Sequence, residues 1–388
     1  MTLKGSGGGT DQHQLDMEWL YGGAPPPKTA TDDDMEWLYA AGPRVARQDP
    51  VRQDPVRPAK EPDNLEKPAR RFRFARLVVV LLVAFAMWLA FLGYAPVHAW
   101  NKVTTVTDIP SGTRPPPQPG TAILLVGSDS RAGLSAAERK QLGTGYAEGG
   151  RTDTMLIYYV PPKGSPALIS LPRDSYLPIP GHGQDKLDAA YTYGGPSLLV
   201  QSVEDATGLR MDGYLEIGFG GFVSLVDLVG GIQVCLKAPM IDKDANLNLP
   251  AGCQTLDGIK ALGYVRQRHQ DPRGDLGRVE RQREVIGKIV AKLAKASTLM
   301  DPVRYWHLWQ TVGSIIQRGQ DTGLGVLKPV AMSALSYAKG DVISLTVPIS
   351  NPDANTPSGS SVIWDQNKAD VLFAMIAKGD TSHLNQFR

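Results

Sequence analysis

Arginine is concentrated in one short part of this chain. Six arginines lie in a stretch of eighteen residues that begins at Arg266. The guanidinium group binds phosphate through two parallel hydrogen bonds and keeps its charge at physiological pH. Arg266 and Arg268 would point the same way from an extended chain, and Arg278, Arg281 and Gln282 would share one face of a helix. This spacing predicts a pocket for two phosphates.

Several other polar residues have a simpler interpretation. Arg273 and Arg283 are predicted to be solvated surface charges. Asp275 stands where the N-cap of a helix would be, which favours a cap over a ligand. His182 and His269 are predicted to lie on the surface or in ordinary hydrogen bonds.

Carboxylates and further arginines stand at the ends of apolar segments. Asp129 and Arg131 follow one such segment, and Arg173 follows another. Arg151 and Asp153 precede a third. If the segments 155–160 and 167–171 pair as a hairpin, Asp153 and Arg173 share one edge. If the segment 122–126 runs parallel to 167–171, Asp129 and Arg131 join that edge.

Two carboxylates at one edge would suit a magnesium ion. Mg²⁺ usually takes one or two carboxylates and completes its shell with phosphate oxygens and water. Neighbouring arginines would neutralise a diphosphate, and one carboxylate could accept a proton from an attacking hydroxyl. Asp129 and Asp153 could instead cap turns, and for either residue alone both interpretations stay open.

The elements that would position these residues alternate between strands and helices, which predicts a single α/β domain. The predicted strands are 122–126, 155–160, 167–171, 231–236 and 342–347. The predicted helices are 197–207, 219–229, 256–262, 276–296 and 366–377.

One segment is long and apolar enough to cross a membrane. Leu77–Val97 contains no charged residue, and its length matches the roughly 30 Å core of a bilayer. Lysine and arginine are frequent just before it and rare just after it. The positive-inside rule therefore predicts an uncleaved signal anchor in the cell membrane, with a cytoplasmic N-terminus and an extracellular domain after Trp100.

Composition divides the chain into four predicted regions. Residues 1–69 are rich in Gly, Pro, Asp and Gln and predict a disordered cytoplasmic tail. Residues 70–101 hold the membrane anchor, and residues 102–120 form a Pro-, Gly- and Thr-rich linker suited to a semi-rigid spacer. Residues 121–388 form the extracellular domain.

The tail contains two duplicated motifs. Asp16–Tyr21 recurs as Asp34–Tyr39, and Arg47–Val51 recurs as Arg52–Val56. The aromatic pair could be a bivalent docking motif for a cytoplasmic protein, or a duplication without a selected function. Both interpretations stay open.

The cysteines and the net charge narrow the possible partners. Cys235 and Cys253 both follow the membrane segment, so an oxidising exterior predicts a disulfide between them rather than two buried thiols. The net charge is only +2. Nucleic acid is therefore not an expected partner, because the arginine cluster lies outside and the tail shows no helix-turn-helix pattern.

With these residues in view, the chain resembles the LytR-CpsA-Psr family over roughly residues 121–285. The motifs that carry the resemblance are Gly127–Arg131, Arg151–Thr154, Leu171–Asp174, Tyr264–His269 and Gly274–Gln282. Their order along the chain also fits the family. The segment between the first two motifs, 132–149, looks longer than many family members need.

The resemblance implies an α/β/α sandwich with a mixed central sheet and a hydrophobic channel for lipid. The apolar faces of 219–229 and 286–293 are candidates for that channel, although ordinary core packing would give the same pattern. By motif, Asp129 and Asp153 would hold Mg²⁺, with Arg131 beside them at the catalytic centre. The residues that the resemblance assigns to the pyrophosphate are Arg151, Arg173, Arg266, Arg268, Arg278, Arg281 and Gln282.

The activity implied is that of a Mg²⁺-dependent phosphotransferase in Gram-positive bacteria. It would move a glycopolymer from a polyprenyl-pyrophosphate carrier onto peptidoglycan. Two other hypotheses remain at this point: a hydrolase of the same lipid pyrophosphate, and a non-catalytic envelope anchor that binds anionic wall polymer through its arginines.

Overall fold

The computed structural model of the chain describes residues 69–130, 151–242, 247–267, 275–293 and 300–387. The predicted tail with its repeats, Arg131, Arg268, Arg273 and His269 lie outside the described residues. Lys67 and Pro68 mark the division between two units of the chain, and the description below concerns the second unit, 68–388.

The helices follow one another along the chain as α1 (Ala69–Trp100), α2 (Leu187–Thr207), α3 (Phe219–Leu228), α4 (Gly258–Arg266), α5 (Asp275–Leu293), α6 (Pro302–Ile315), α7 (Leu324–Lys339) and α8 (Gln366–Ala377). The strands are β1 (Thr104–Val106), β2 (Thr121–Ser128), β3 (Thr152–Val160), β4 (Ala167–Leu171), β5 (Tyr176–Ile179), β6 (Gly183–Lys186), β7 (Gly213–Gly218), β8 (Ile232–Leu236), β9 (Met240–Asp242), β10 (Leu247–Leu249), β11 (Gly252–Leu256), β12 (Ile316–Gly319), β13 (Ile343–Thr346), β14 (Ile349–Thr356) and β15 (Gly359–Trp364).

A seven-stranded mixed sheet in the order β1-β12-β7-β2-β3-β4-β13 forms the centre of the fold. The two sequence-derived pairing conditions both hold. β3 and β4 pair antiparallel, and β2 also pairs antiparallel with β3, so β2 runs in the same direction as β4. β7 lies parallel to β2 on its other side. The carboxyl ends of β2, β4 and β7 therefore meet the start of β3 at one edge.

Alternating side chains of the sheet face two helical layers. Leu124 of β2 and Ile157 of β3 pack with α2 and α8 in the larger core. Leu156 and Tyr158 face the opposite side, where they pack with Ile286 of α5 and Val330 of α7. The period of two in β-strands produces this division. The result is an α/β/α sandwich, as predicted.

The helix before the domain is long and apolar. Phe74–Trp100 is the one candidate membrane span that the described residues contain, and its apolar side chains are largely exposed up to Tyr94. Beyond that point, Ala95 and Ala99 are buried. The carboxyl end of α1 is therefore packed against the domain rather than joined to it by a loose connection.

The segment predicted as a linker, 102–120, is instead part of the fold. β1 pairs in parallel with β12 at the edge of the central sheet. Arg114 donates hydrogen bonds to both carboxylate oxygens of buried Glu204, the shorter of them 2.6 Å. The Pro and Gly content of the segment 102–120 predicted a spacer. The edge strand β1 and the ion pair of Arg114 with Glu204 instead hold this segment against the sheet.

Cys235 of β8 and Cys253 of β11 form a disulfide, as predicted. The two residues face each other directly in the antiparallel ribbon. This ribbon is separate from the central sheet, so the predicted strand 231–236 does not join the main core. The predicted helix 256–262 begins later, because Asp257 caps α4 by accepting from the Lys260 N–H.

Candidate functional site

Asp129 follows the last residue of β2 and forms hydrogen bonds with the main chain of Arg151. The Asp129 N–H donates to the Arg151 carbonyl at 2.9 Å. The Arg151 N–H donates to Asp129 Oδ1 at 2.6 Å. The first bond continues the pairing of β2 with β3 beyond the regular ladder, and the second holds the Asp129 carboxylate against the Arg151 main chain at the sheet edge.

Asp153 lies at an irregularity in the same ladder. Gly127 pairs with Thr154, but Ser128 pairs with Thr152, so Asp153 is the extra residue on β3. A bulge of this kind redirects the side chain of the extra residue. Asp153 and Thr154 both line the cavity described below, although strict alternation would place them on opposite faces. The bulge therefore brings this carboxylate to the cavity.

Arg173 links Asp153 to a second aspartate. Its Nη1 donates to Asp153 Oδ1 at 2.6 Å, and its Nε donates to Asp174 Oδ2 at 3.3 Å. Lys186 Nζ lies 3.0 Å from the other oxygen of Asp174. The predicted proximity of Asp153 and Arg173 is thus confirmed, and Asp174 and Lys186 extend the cluster.

The charged side chains of this cluster shift one another's pKa values. Burial alone would lower the pKa of Arg173, but the carboxylates of Asp153, Asp174 and Asp188 outweigh burial and raise it. Burial would raise the pKa of Asp174, yet Arg173 and Lys186 hold it below its ordinary value. Asp188 differs, because burial and its acidic neighbours raise its pKa. The cluster keeps a charged arginine beside ionised Asp174 at neutral pH.

Three predicted residues of α5 lie in the interior. Arg278, Arg281 and Gln282 are 2%, 6% and 8% exposed. Arg278 lies near enough to Asp174 for its charge to help lower the pKa of that carboxyl. Arg281 donates to the carbonyls of Tyr264 at 3.2 Å and Gln267 at 2.7 Å. Arg281 therefore holds the carboxyl end of α4 against α5.

Arg266 ends α4 and faces an aromatic ring. Its guanidinium carbon lies 4.9 Å from the centre of the Phe219 ring, at the start of α3. Such a cation–π contact orients the guanidinium. Arg266, Gln282 and Asp153 all line the same cavity. The structure thus brings together predicted residues from three separate segments of the chain.

The cavity has a volume of about 360 Å³ and is mostly apolar. α3 contributes Phe219, Phe222 and Leu225, and α5 contributes Ile286 and Ile289 among other residues. These are the helix faces proposed from the sequence for the channel. An apolar cavity that ends at charged side chains suits an amphiphilic ligand with an anionic head.

Sequence reasoning missed a further group of side chains, centred on Glu216, which also lines the cavity. Glu216 of β7 is 2% exposed and accepts hydrogen bonds from two tyrosines. Tyr191 Oη lies 3.0 Å and 3.1 Å from its two oxygens, and Tyr214 Oη lies 2.6 Å from one of them. Burial and the charges of Glu216 and Asp129 raise the pKa of Tyr191.

The donor set fits a magnesium ion. Among the described residues, no three or more His, Cys, Asp or Glu side chains come together as a metal site. A metal held entirely by the protein is therefore not indicated there. Asp129 and Asp153 stand on the two paired strands at the edge, next to arginines that suit phosphate. Two carboxylates completed by phosphate oxygens are a usual magnesium environment.

The α/β/α sandwich thus contains an apolar cavity whose lining includes Asp153, Arg266 and Gln282. The LytR_cpsA_psr family model matches residues 100–375, and the chain belongs to this family.

Two curated relatives illustrate the likeness. The probable cell wall biosynthesis protein LcpB of Corynebacterium glutamicum is 45% identical over 256 residues, which cover 66% of this chain and 60% of that protein. The polyisoprenyl-teichoic acid–peptidoglycan teichoic acid transferase TagU of Oceanobacillus iheyensis is 37% identical over 184 residues, covering 46% of this chain and 52% of that protein. The chain thus spans 60% or less of the length of these two relatives.

Solved structures share the fold. A protein of Streptococcus agalactiae superimposes with a TM-score of 0.55 at 26% identity, covering 67% of this chain and 88% of that one. The LytR-Csp2A-Psr enzyme of Actinomyces oris gives a TM-score of 0.57 at 24% identity, covering 71% of this chain and 96% of that one.

Proposed function

We propose that this protein attaches a glycopolymer to peptidoglycan and takes the polymer from a polyprenyl-pyrophosphate carrier. The observation that carries the proposal is the apolar cavity whose polar end contains Asp153, Arg266 and Gln282. A polyprenyl chain would occupy the apolar part, and the pyrophosphate would meet the arginines. The relative TagU, named as a teichoic acid transferase acting on peptidoglycan, supports the same reaction class.

The reaction would exchange the phosphoanhydride bond of the pyrophosphate for a phosphodiester bond. A sugar hydroxyl of peptidoglycan attacks the phosphorus that carries the glycan, and a new P–O bond forms. The bond from that phosphorus to the bridging oxygen of the pyrophosphate breaks, and its electron pair leaves with polyprenyl phosphate. The proton of the hydroxyl passes to a carboxylate at the sheet edge. Phosphodiester-linked glycan and polyprenyl phosphate are the products.

The arginines and the aspartates of the site would have different roles. Arg173, Arg266 and Arg278 would bind the pyrophosphate and stabilise charge that develops on its oxygens. Asp129 and Asp153 would hold Mg²⁺, which when bound neutralises phosphate charge and orients the reacting group. The ion pair of Arg173 with Asp153 fixes the relative position of the phosphate-binding and metal-binding groups.

A transfer assay with the full-length protein tests the proposal. The assay would contain a labelled lipid-pyrophosphate glycan, peptidoglycan and Mg²⁺, and it would measure label bound to peptidoglycan. Asp129→Asn should reduce transfer on the order of a hundredfold or more, as should removal of Mg²⁺ by chelation. Asp370→Asn, on the exposed side of α8, is the matched control and should transfer at the normal rate.

The same assay separates the alternatives. A hydrolase would release labelled glycan phosphate at full rate when peptidoglycan is omitted, whereas the proposed transferase needs the acceptor. A non-catalytic anchor would bind the glycan but form no covalent product. Normal transfer by Asp129→Asn in the presence of chelator would refute the metal-assisted mechanism.

A further inference from the structure

The carboxyl end of α1 is joined to the domain through one helix, α6. Tyr305 Oη donates to the Leu92 carbonyl at 2.7 Å. A methyl group added at Gly313 would lie 2.8 Å from the Ala99 carbonyl oxygen, so the two helices approach closely there. The Trp306 ring lies 6.3 Å from the Tyr94 ring and 5.4 Å from the His98 ring. α1 and α6 thus form one continuous packing unit.

This contact lies at the level where the membrane should end. A helix crosses a bilayer core of roughly 30 Å in about 20 residues. Counted from Arg76, the last charge before the apolar run, that length ends close to Pro96. Trp306 contacts α1 rings on both sides of this position. Tryptophan and tyrosine concentrate at this level of membrane proteins because their rings are apolar and carry one polar group.

The first turn of α6 presents exposed apolar side chains beside this contact. Val303 is 63% exposed, and Met300, just before the helix, is 74% exposed. Val303 precedes Trp306 by three positions, so the two share a flank of the helix. Arg304 pairs with Asp301 through Nε at 3.2 Å, and its exposed guanidinium can extend toward phosphate headgroups while its stem stays near the apolar layer.

We infer that α6 docks on the surface of the bilayer that α1 crosses, with its first turn at the boundary between headgroups and acyl chains. The occupant of this surface is lipid of the leaflet on the domain side. The apolar exposed side of α1 continues into the first turn of α6, which argues for the same apolar environment around both.

The docking would also place the cavity near the membrane. Ile316, the residue that follows α6, lines the cavity. A methyl group at Gly221 of α3 would lie 2.8 Å from the Ile315 carbonyl oxygen, so the end of α6 packs tightly on a helix of the cavity wall. α6 therefore connects the anchor, the lipid surface and the cavity. This consequence rests on the proposed function, but the docking itself does not.

Site-directed fluorescence with the full-length protein in vesicles tests the docking. Cys235 and Cys253 are bonded to each other, so an introduced cysteine would be the labelled thiol. Val303→Cys would carry an environment-sensitive fluorophore in phosphatidylcholine and phosphatidylglycerol vesicles. Lipids with a spin label near the top of the acyl chain should quench it at least about threefold more than they quench a label at Val371→Cys. Val371 is a similarly exposed valine on α8.

A third label separates docking from membrane insertion. Leu81→Cys lies in the middle of the candidate span and should be quenched by lipids labelled deep in the acyl chain. If Leu81→Cys is quenched while Val303→Cys behaves like Val371→Cys, the docking proposal is wrong. Burial of Val303 against a second copy would give weak lipid quenching that depends on protein concentration, and would also overturn it. Glycan transfer is measured separately, so these outcomes do not depend on the proposed activity.

Discussion

Arg266 and Arg281 belong to the same arginine cluster but have different surroundings. Arg266 lines the cavity and stacks on Phe219. Arg281 donates to the Tyr264 and Gln267 carbonyls. The carboxyl end of a helix leaves carbonyls without partners inside that helix, and Arg281 satisfies two carbonyls at this end of α4. We therefore expect one arginine to act on the ligand and the other on the position of α4.

Substituting the two arginines separately should distinguish these roles. Arg266→Ala should lower glycan transfer on the order of a hundredfold, because a phosphate ligand is lost, with little change in thermal stability. Arg281→Ala should lower the free energy of unfolding by about 1–3 kcal/mol, because buried carbonyls lose their donors. Transfer rates and thermal denaturation of both full-length variants provide the measurement. Equal destabilisation by the two substitutions would contradict this division of roles.

The sequence was informative at this scale where neighbouring strands pair locally. Asp153 precedes β3 residues that pair with β4, and Arg173 follows β4, so their proximity was expected on the condition that these two consecutive strands pair as a hairpin. Glu216 and Tyr191 could not be paired in the same way. Tyr191 lies in α2, 25 residues before Glu216 of β7, and no local pairing pattern connects a helix residue with a strand residue. Only the tertiary fold brings these two side chains together.

At the scale of elements, close approach of α3 and α4 shapes the cavity. Gly258 begins α4, and a methyl group there would lie 2.8 Å from the Val223 Cα of α3. The Gly258 N–H also donates to Asp227 Oδ1 at 2.7 Å, which fixes the relative position of the two helices. Both helices contribute apolar side chains to the cavity wall, including Phe222 and Leu262. The width of the cavity therefore depends on this crossing.

Gly258→Ala should force the two helices apart. We expect a loss of about 1–3 kcal/mol in the free energy of unfolding, as for other overpacked sites, together with weaker binding of lipid pyrophosphate. Gly325→Ala is the matched control, because a methyl group there meets no atom within 4 Å. Denaturant unfolding and ligand titration of the two variants would test the prediction. A Gly258→Ala protein as stable as Gly325→Ala would show that the crossing is not tight.

Elements with regular apolar patterns were predicted well, and those without them were not. β2, β3 and β4 contain nearly continuous apolar runs and were located within a few residues. The segment 102–120 was predicted as a spacer because Pro and Gly dominate it. β1 within it has only three residues, too few to show a period. Its pairing with β12 depends on a strand far along the chain, which no local pattern could indicate.

At the scale of the whole molecule, the anchor, α6, the cavity and the charged edge follow one another in space. α1 packs on α6, α6 packs on α3, and α3 lines the cavity that ends at Asp153 and Arg266. With the substrate proposed above, this order would give the lipid a single direction, with its chain toward the membrane side and its phosphates toward the arginines. The apolar cavity should then select for the length of the lipid chain.

Filling the cavity tests this selection directly. Ile289 of α5 lines the cavity and is 5% exposed. Ile289→Trp would place an indole ring in a space of about 360 Å³. Transfer from long polyprenyl carriers should fall roughly tenfold or more through a higher KM, since each buried methylene that is displaced loses about 0.8 kcal/mol of binding. Carriers with only a few isoprene units should be affected much less, because their chains end before reaching Ile289.

The dependence of KM on the length of the carrier distinguishes a blocked cavity from a misfolded protein. Overpacking alone can cost about 1–3 kcal/mol of stability, and a destabilised enzyme would lose activity with every carrier equally. KM and kcat would be measured for the unsubstituted protein and Ile289→Trp with a series of carriers of increasing length. A KM ratio between the two proteins that rises with chain length is the expected result. A constant ratio, or a loss confined to kcat, would mean that the lipid chain does not occupy this cavity.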